Sequence, residues 1–305
     1  MRNAYLETLY ELAAKDKNVY AVISDNGAIV YDKYRRDFPE QFINAGIAEA
    51  NMIGMSAGLA ERGKIPFAYT IGSFLAYRAF EFVLNDVCLQ NMNVKMVGIG
   101  AGFSYSLLGA SHHTIFDISL LRGLPNLTIF SPASPLEVKK IVKAAYEIDG
   151  PVYIRLGTNG EKEIHSGDFE FRVGKGMLLR YGKDICIIST GSVGSDALEV
   201  AEMLKKSGIE CAVANIHTLK PLDAELVRNI GKKYPFVVTL EEHSIYGGLG
   251  SMVAEIFAES SCQARLKRFG IENGLVKGYG RHDEIQQVNG LDIDSITKKI
   301  MGALL

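Results

Sequence analysis

Val19-Tyr20-Ala21-Val22-Ile23 is the stretch on which the fold class turns. Five apolar residues in a row, with no polar alternation, suit a strand covered on both faces, as strands are in a parallel sheet. The chain then runs through a loop into a helical pattern near residues 48–62. Similar strand patterns recur at Val94-Lys95-Met96-Val97-Gly98-Ile99, Leu127-Thr128-Ile129-Phe130 and Val152-Tyr153-Ile154, with helical periodicity over residues 74–89 and 135–146 between them. Pro135 suits a first helical turn, where its missing N–H costs nothing. This alternation predicts an α/β fold in which a mainly parallel β-sheet is flanked by helices.

From residue 157 to 175 the rhythm breaks into polar sequence, beginning Gly157-Thr158-Asn159-Gly160-Glu161-Lys162-Glu163. A second alternating unit follows, with strands at 185–189, 211–216 and 236–240 and helices at 192–206, 223–233, 250–259 and 293–304. The expected organisation is a first domain over residues 1–157, a linker over 158–180 and a second domain over 181–305.

Composition narrows the function. The 305 residues hold 33 Lys and Arg against 35 Asp and Glu, a net charge of -2, so nothing favours nucleic acid or an acidic membrane as a partner. A hydrophobic content of 48% with 22% charged residues is globular rather than disordered composition. No apolar run reaches the roughly 18–20 residues a membrane helix needs. The first twelve residues mix acids with apolar positions at helical spacing, unlike a signal peptide. Cys88, Cys186, Cys211 and Cys262 lie too far apart for a zinc or redox pair. A cytoplasmic protein with free thiols is expected.

Ligands of open α/β sheets sit beyond the carboxyl ends of strands, which makes the loops there the candidate sites. Glu49 opens a helix, where the dipole alone would favour an acid. Its flanks (Gly46, Ala48, Ala50, Met52, Ile53) are small or apolar, however, and a carboxylate so enclosed needs a specific partner. Phe74, Tyr77 and Phe80 recur every three residues and predict one aromatic ridge on a helix, either a core stripe or a stacking wall for a flat heterocycle. His112 and His113 follow a glycine-rich loop (Gly98, Gly100, Gly102). Adjacent histidines suit a pocket for a hydroxylated substrate better than a metal site. Arg155, at a strand's end, serves either a surface or inter-domain ion pair or an anionic substrate group. Glu241-Glu242-His243 before Gly247-Gly248-Leu249-Gly250 lacks dinucleotide-loop spacing and reads as structural.

Taken in order, these segments resemble the C-terminal half of transketolase: a pyrimidine-binding domain of thiamine diphosphate enzymes, then a Rossmann-like C-terminal domain. The motifs are Val22-Ile23-Ser24-Asp25, Gly46-Ile47-Ala48-Glu49, Ser73-Phe74, Gly109-Ala110-Ser111-His112, Pro132-Ala133-Ser134 and Gly150-Pro151-Val152-Tyr153-Ile154-Arg155. Leu219-Lys220-Pro221-Leu222-Asp223 and the Glu241–Gly250 region extend the likeness over essentially the whole chain. The resemblance implies thiamine diphosphate as cofactor. In that family the glutamate matching Glu49 hydrogen-bonds the pyrimidine ring and favours its imino tautomer, so Glu49 and His112 are the expected catalytic residues. Phe74, Tyr77 and Phe80 match the aromatic pocket around the pyrimidine, with Tyr77 expected as the stacking ring, and Asp25 matches an acid near the cofactor. His112, His113 and Arg155 are the expected substrate contacts.

Two departures qualify the likeness. The family's Gly-Asp-Gly diphosphate and metal motif is absent from this sequence, which implies a split enzyme. An N-terminal-type partner subunit would then hold Mg2+ or Ca2+, with two copies of each subunit (α2β2) expected. Positions at which usual transketolases carry a histidine and an aspartate against sugar phosphate and hydroxyl hold Gly100 and Leu108 by ungapped alignment, and a phosphate-contacting serine falls at Ile29. A sugar or sugar phosphate outside the common pentose-phosphate pair is therefore expected. A 2-oxo-acid dehydrogenase β subunit, a 1-deoxyxylulose-5-phosphate synthase-like carboligase and a catalytically silent scaffold remain the alternatives.

Overall fold

The computed structural model describes residues 1–158, 160–272 and 275–304. The first half runs α1 (Arg2–Ala13), β1 (Val19–Ile23), α2 (Asp32–Asp37), β2 (Phe42–Asn44), α3 (Glu49–Glu61), β3 (Ile65–Ile71), α4 (Phe80–Phe82), β4 (Lys95–Ile99), α5 (Asp117–Leu121), β5 (Thr128–Phe130), α6 (Pro135–Glu147) and β6 (Val152–Leu156). The second half runs β7 (Met177–Arg180), β8 (Ile185–Ser189), α7 (Gly194–Lys206), β9 (Cys211–Asn215), β10 (Thr218–Lys220), α8 (Ala224–Lys233), β11 (Phe236–Ser244), α9 (Leu249–Ala258), β12 (Arg265–Ile271), α10 (His282–Asn289) and α11 (Ile293–Leu304). Two sheets result, ordered β10-β5-β6-β4-β3-β1-β2 and β12-β11-β8-β9-β7. All pairings are parallel except β10 with β5 and β7 with β9. The α/β class expected from the alternation holds in both halves.

Both faces of the first sheet are dry because side chains alternate sides along each strand. Ala21, Ile23, Phe67, Tyr69, Val97 and Ile99 pack with Tyr5 and Leu9 of α1 and Val138 and Ile141 of α6. Val22, Ala68 and Met96 face the other way, onto Met52 and Ile53 of α3. Ser134 caps α6 by accepting from the Glu137 N–H at 3.4 Å, with Pro135 in the first turn as its sequence suggests.

Three elements differ from what the sequence suggests. Strand β3 lies inside the sheet, between β4 and β1, although a proline such as Pro66 is ordinarily kept to edge strands. Pro66 is tolerated because the ladder to β4 begins only at Phe67, opposite Lys95. Residues 74–89 are not one α-helix: π-helical turns at Phe74–Arg78 and Val83–Cys88 flank the short α4. Residues 177–180, expected to close the linker, form β7 on the edge of the second sheet.

The halves are joined by more than the linker. Strand β10 crosses to the first sheet, with Thr218 opposite Phe130. One apolar cluster continues from Ile118 and Leu121 to Leu219, Leu249 and Val253. Cys88, Cys186, Cys211 and Cys262 are free thiols. Among the described residues no helix is long and apolar enough to cross a membrane.

Candidate active site

Strand order reverses beside β1: the chain moves from β1 out to β2, then returns through α3 to β3 on the other side. Such a switch point leaves a crevice at the carboxyl edge of the sheet. Glu49 stands at this edge as the first residue of α3 and is only 2% exposed. Its Oε2 accepts a 2.7 Å hydrogen bond from Arg78 Nη1. The Arg78 side chain is 53% exposed, and its guanidinium lies 4.7 Å over the Phe74 ring. The enclosure inferred from the small flanking residues is therefore real. Phe74 and Arg78 stand four residues apart, a spacing at which helical neighbours meet, but nothing local in the sequence shows that Glu49 is the third partner.

Asp25, two residues beyond β1, takes a left-handed conformation (φ 59°), which aspartate tolerates better than most residues. Its N–H donates to Asn44 Oδ1 at 3.0 Å, and Asn44 Nδ2 donates to the Asp25 carboxylate at 2.9 Å. Asn44 Oδ1 also accepts from the Gly46 N–H at 3.0 Å, fixing the turn that leads into Glu49. The neighbouring Asn26 has a buried side-chain amide nitrogen without a hydrogen-bond partner.

The π-turn breaks up the expected aromatic ridge. Phe74 packs on the α1 and α6 side of the sheet, whereas Phe80 packs on the α3 side. Tyr77 turns toward Phe116, with ring centroids 6.1 Å apart. Its hydroxyl accepts from the Ile115 and Phe116 N–H groups at 3.1 and 3.0 Å, anchoring the end of the histidine loop. Phe74 is thus the ring of the three that Arg78 and His112 both approach.

The loop after β4 closes at its base, where Gly102 and Thr114 exchange backbone hydrogen bonds of 3.1 and 3.0 Å. His112 projects from this loop toward Phe74, 5.0 Å away edge to face, and its Nδ1 lies 3.0 Å from Ser111 Oγ. His113 is buried, both ring nitrogens lack a hydrogen-bond partner, and burial lowers its pKa. The two histidines therefore part company: His112 lines the crevice and His113 faces the interior beside Phe103.

Arg155 corrects one expectation. It is 2% exposed, and its guanidinium is committed to Asp117 Oδ2 (2.8 Å), Thr114 O (2.7 Å) and Glu242 O (2.9 Å). Tyr153 Oη donates to the same Asp117 oxygen at 2.8 Å. A guanidinium so occupied has no room for a substrate anion; its ion pair is a buried one with Asp117 inside the first half, and only the hydrogen bond to the Glu242 carbonyl crosses to the second.

The end of β11 reaches beyond its own sheet into the first half. The Glu241 carboxylate accepts from the Leu249 and Gly250 N–H groups, both at 2.8 Å, at the start of α9, and burial raises its pKa to about 7. Burial holds His243 neutral, with its pKa lowered to about 4. The segment is structural, as its glycine spacing suggests, but nothing local in the sequence shows that it touches the histidine loop.

A buried carboxylate, a half-buried ring and a histidine loop meet at the switch point of a parallel sheet, the place where open α/β folds bind ligands. Residues 1–159 match the transketolase pyrimidine-binding domain and residues 174–296 the transketolase C-terminal domain. A putative transketolase C-terminal section from Methanocaldococcus jannaschii is 40% identical over 304 residues, covering 99% of this chain and 95% of that protein. One of the subunits of an apulose-4-phosphate transketolase from Actinobacillus succinogenes is 37% identical over 97% of this chain and 96% of its own length. A split-gene transketolase solved as an inactive beta4 tetramer superposes with a TM-score of 0.89 at 38% identity, covering 99% and 97% of the two chains. The chain belongs to the transketolase family and corresponds to its C-terminal section.

Proposed function

We propose that this chain is the C-terminal subunit of a split, cytoplasmic transketolase that moves a two-carbon ketol unit from a ketose to an aldose once an N-terminal-type subunit completes the site. The observation that carries the reading is Glu49, a carboxylate withdrawn from water at the switch point with Arg78 as its ion-pair partner. Thiamine diphosphate supplies the chemistry of breaking and remaking a carbon–carbon bond next to a carbonyl. The residues present fit its pyrimidine half. Glu49 offers a shielded acceptor for a ring nitrogen, Phe74 a flat apolar face, and the unpartnered Asn26 amide a donor at the same sheet edge.

In this reading Glu49 holds a proton at the pyrimidine nitrogen, and Arg78 keeps the carboxylate paired and oriented. Asp25, through Asn44, shapes the turn before Glu49. Tyr77 fixes residues 115–116, and Phe80 supports the π-turn from the core side. His112, with its unburied ring at the crevice, donates to or accepts from substrate hydroxyls, while His113 backs it from inside. The diphosphate and its Mg2+ or Ca2+ ion fall to the partner.

The same edge carries exposed apolar side chains that a partner would cover. Ile29 is 83% and Ile47 78% exposed, and Leu107 and Leu108 project from the histidine loop. That placement supports an assembly in which each site is built between unlike chains, with α2β2 the stoichiometry proposed. Substrate choice follows from what replaces the usual phosphate contacts. Ile29 and Leu108 are apolar, and a side chain at Gly100 (φ 88°) would collide with the Tyr105 ring. At those positions this chain offers no cation to a sugar's terminal phosphate, which favours a donor or acceptor outside the common pentose-phosphate pair.

The test mixes the chain with an N-terminal-type subunit, thiamine diphosphate, Mg2+ and a panel of ketoses and aldoses. Ketol transfer is the expected result. Carbon dioxide release from a 2-oxo acid, or highest kcat/KM with xylulose 5-phosphate and ribose 5-phosphate, would overturn the activity and the substrate assignment respectively.

A further inference from the structure

Glu242 lies where the two halves meet the histidine loop. It is buried, and its Oε2 accepts from the Phe103 N–H at 3.3 Å, one residue into the loop that Gly102 and Thr114 close. Gly102 (φ 60°) is required there, since a Cβ would collide with the same carboxylate oxygen. The other carboxylate oxygen pairs with His282 Nε2 at 2.7 Å and accepts from Gln286 Nε2 at 2.9 Å, both from α10 of the second half. Gln286 also donates to Asp196 of α7 at 3.1 Å. Farther along, Tyr279 Oη donates to Leu107 O at 2.6 Å, so the segment leading into α10 also grips the tip of the loop.

We propose that Glu242 and His282 are positioning residues that lock the 102–114 loop against the second domain and so set where His112 stands in the crevice. Besides the Gly102–Thr114 backbone pair, the loop's base is held from outside on both strands: Arg155 donates to Thr114 O and the Tyr77 hydroxyl accepts from the Ile115 and Phe116 N–H groups on one side, and the Glu242 carboxylate accepts from the Phe103 N–H on the other. The interior supplies one carboxylate, and a carboxylate buried against a backbone N–H needs a cation to stay ionised there. His282 supplies that cation, and its side chain is 42% exposed, within reach of solvent protons.

Several charges surround the pair. Facing His282 are Glu242 from β11, Asp196 from α7 and Asp283 on its own helix, all acidic, and they raise its pKa to about 9. Facing Glu242 are His282 and, from β6, Arg155, which keep its pKa low against the cost of burial. His113 of the loop itself also senses Glu242, and Glu161 and Lys162 line the outer wall of the cleft beside His282. Deprotonating His282 removes the cation in direct contact with Glu242, leaves only the more distant Arg155 to offset its buried charge, and loosens the loop.

The loop's role at the site rests on the proposed function, but its anchoring is readable without turnover. Hydrogen exchange of the isolated chain, corrected for the intrinsic pH dependence of amide exchange, should show protection over residues 102–114 falling with a midpoint near pH 9. His282→Ala should lose about tenfold or more of that protection at pH 7.5 and abolish the pH step, with α3 and α6 unchanged. His282→Arg, a permanent cation, should keep the loop protected beyond pH 9. In the assembled enzyme, His282→Ala should lower kcat with little change in cofactor affinity, and His282→Arg should restore it. Equal loop protection in wild type and His282→Ala, or a pH step that survives in His282→Ala, would overturn the inference. Absence of turnover in the wild-type assembly would count against the transketolase reading while the exchange result still judged the anchor.

Discussion

Arg78 and Glu49 form an ion pair of 2.7 Å in which one partner is half in water and the other almost wholly withdrawn from it. The asymmetry suits a site that must hold a carboxylate ready in a dry crevice. The guanidinium cannot give up its proton, its outer face remains solvated, and its inner face rests on the Phe74 ring. Arg78 makes this pair from the end of a π-turn, where the sequence suggests a plain α-helix.

Glu49→Gln keeps the size of the side chain and removes its negative charge. Turnover of the assembled enzyme should fall by about 100-fold or more, while the isolated chain's Tm moves by less than about 4 °C. Steady-state kinetics and a thermal melt check both. Near-wild-type turnover would refute the role assigned to Glu49.

Arg78→Ala leaves the buried Glu49 without its partner and should cost about 1–3 kcal/mol of stability, less than stranding a charge of a pair buried on both sides because the vacated place opens to water. Turnover should suffer more than folding does. Comparing urea midpoints with kcat separates the two, and a loss confined to stability would show that the pair is only structural.

Asp117→Ala strands Arg155 in the interior. Breaking a buried pair on one side costs about 3–5 kcal/mol, so the urea midpoint should drop sharply. The milder Asp117→Asn keeps an acceptor for Arg155 and Tyr153 and should lose less.

Lys95 is fully buried at the opposite end of the first sheet, where its ammonium donates to Ile148 O and Gly150 O. Burial lowers its pKa to about 7, against about 10.4 in the unfolded chain. Between those values the unfolded state binds the extra proton, so this residue's contribution to stability increases as pH rises from about 7 toward 10. Relative to Lys95→Met, the wild type should gain about 2 kcal/mol between pH 7.5 and 9, measured by urea unfolding at both pH values. A pH-independent difference would show that Lys95 does not titrate in this window.

Ile47→Glu puts a charge on the exposed apolar edge beside Glu49. Association with an N-terminal-type subunit should weaken by about tenfold or more, with the isolated chain's Tm unchanged, as read by light scattering and a melt. Undiminished association would place the partner elsewhere.

Much of this protein is legible one segment at a time. Runs such as Val19–Ile23 declare a strand buried on both faces, and the helices between them declare a parallel sheet, because burial periodicity is local. The small neighbours of Glu49 forecast its enclosure for the same reason. Strand β3 and the π-turn are not legible: Pro66 disguises the first, and the second depends on contacts that helical spacing does not encode. Phe74, Tyr77 and Phe80 share a spacing in the sequence yet part in space for that reason.

What only the tertiary structure decided is which charge meets which. Arg155 meets Asp117 across 38 residues of chain and the Glu242 carbonyl across 87, and Phe103 meets the Glu242 carboxylate across 139. A sequence can announce that a charged side chain is headed for the interior. The identity of its partner depends on how two sheets dock, and that docking is set by the packing of apolar surface shared between α5, α9 and β10 rather than by any local pattern.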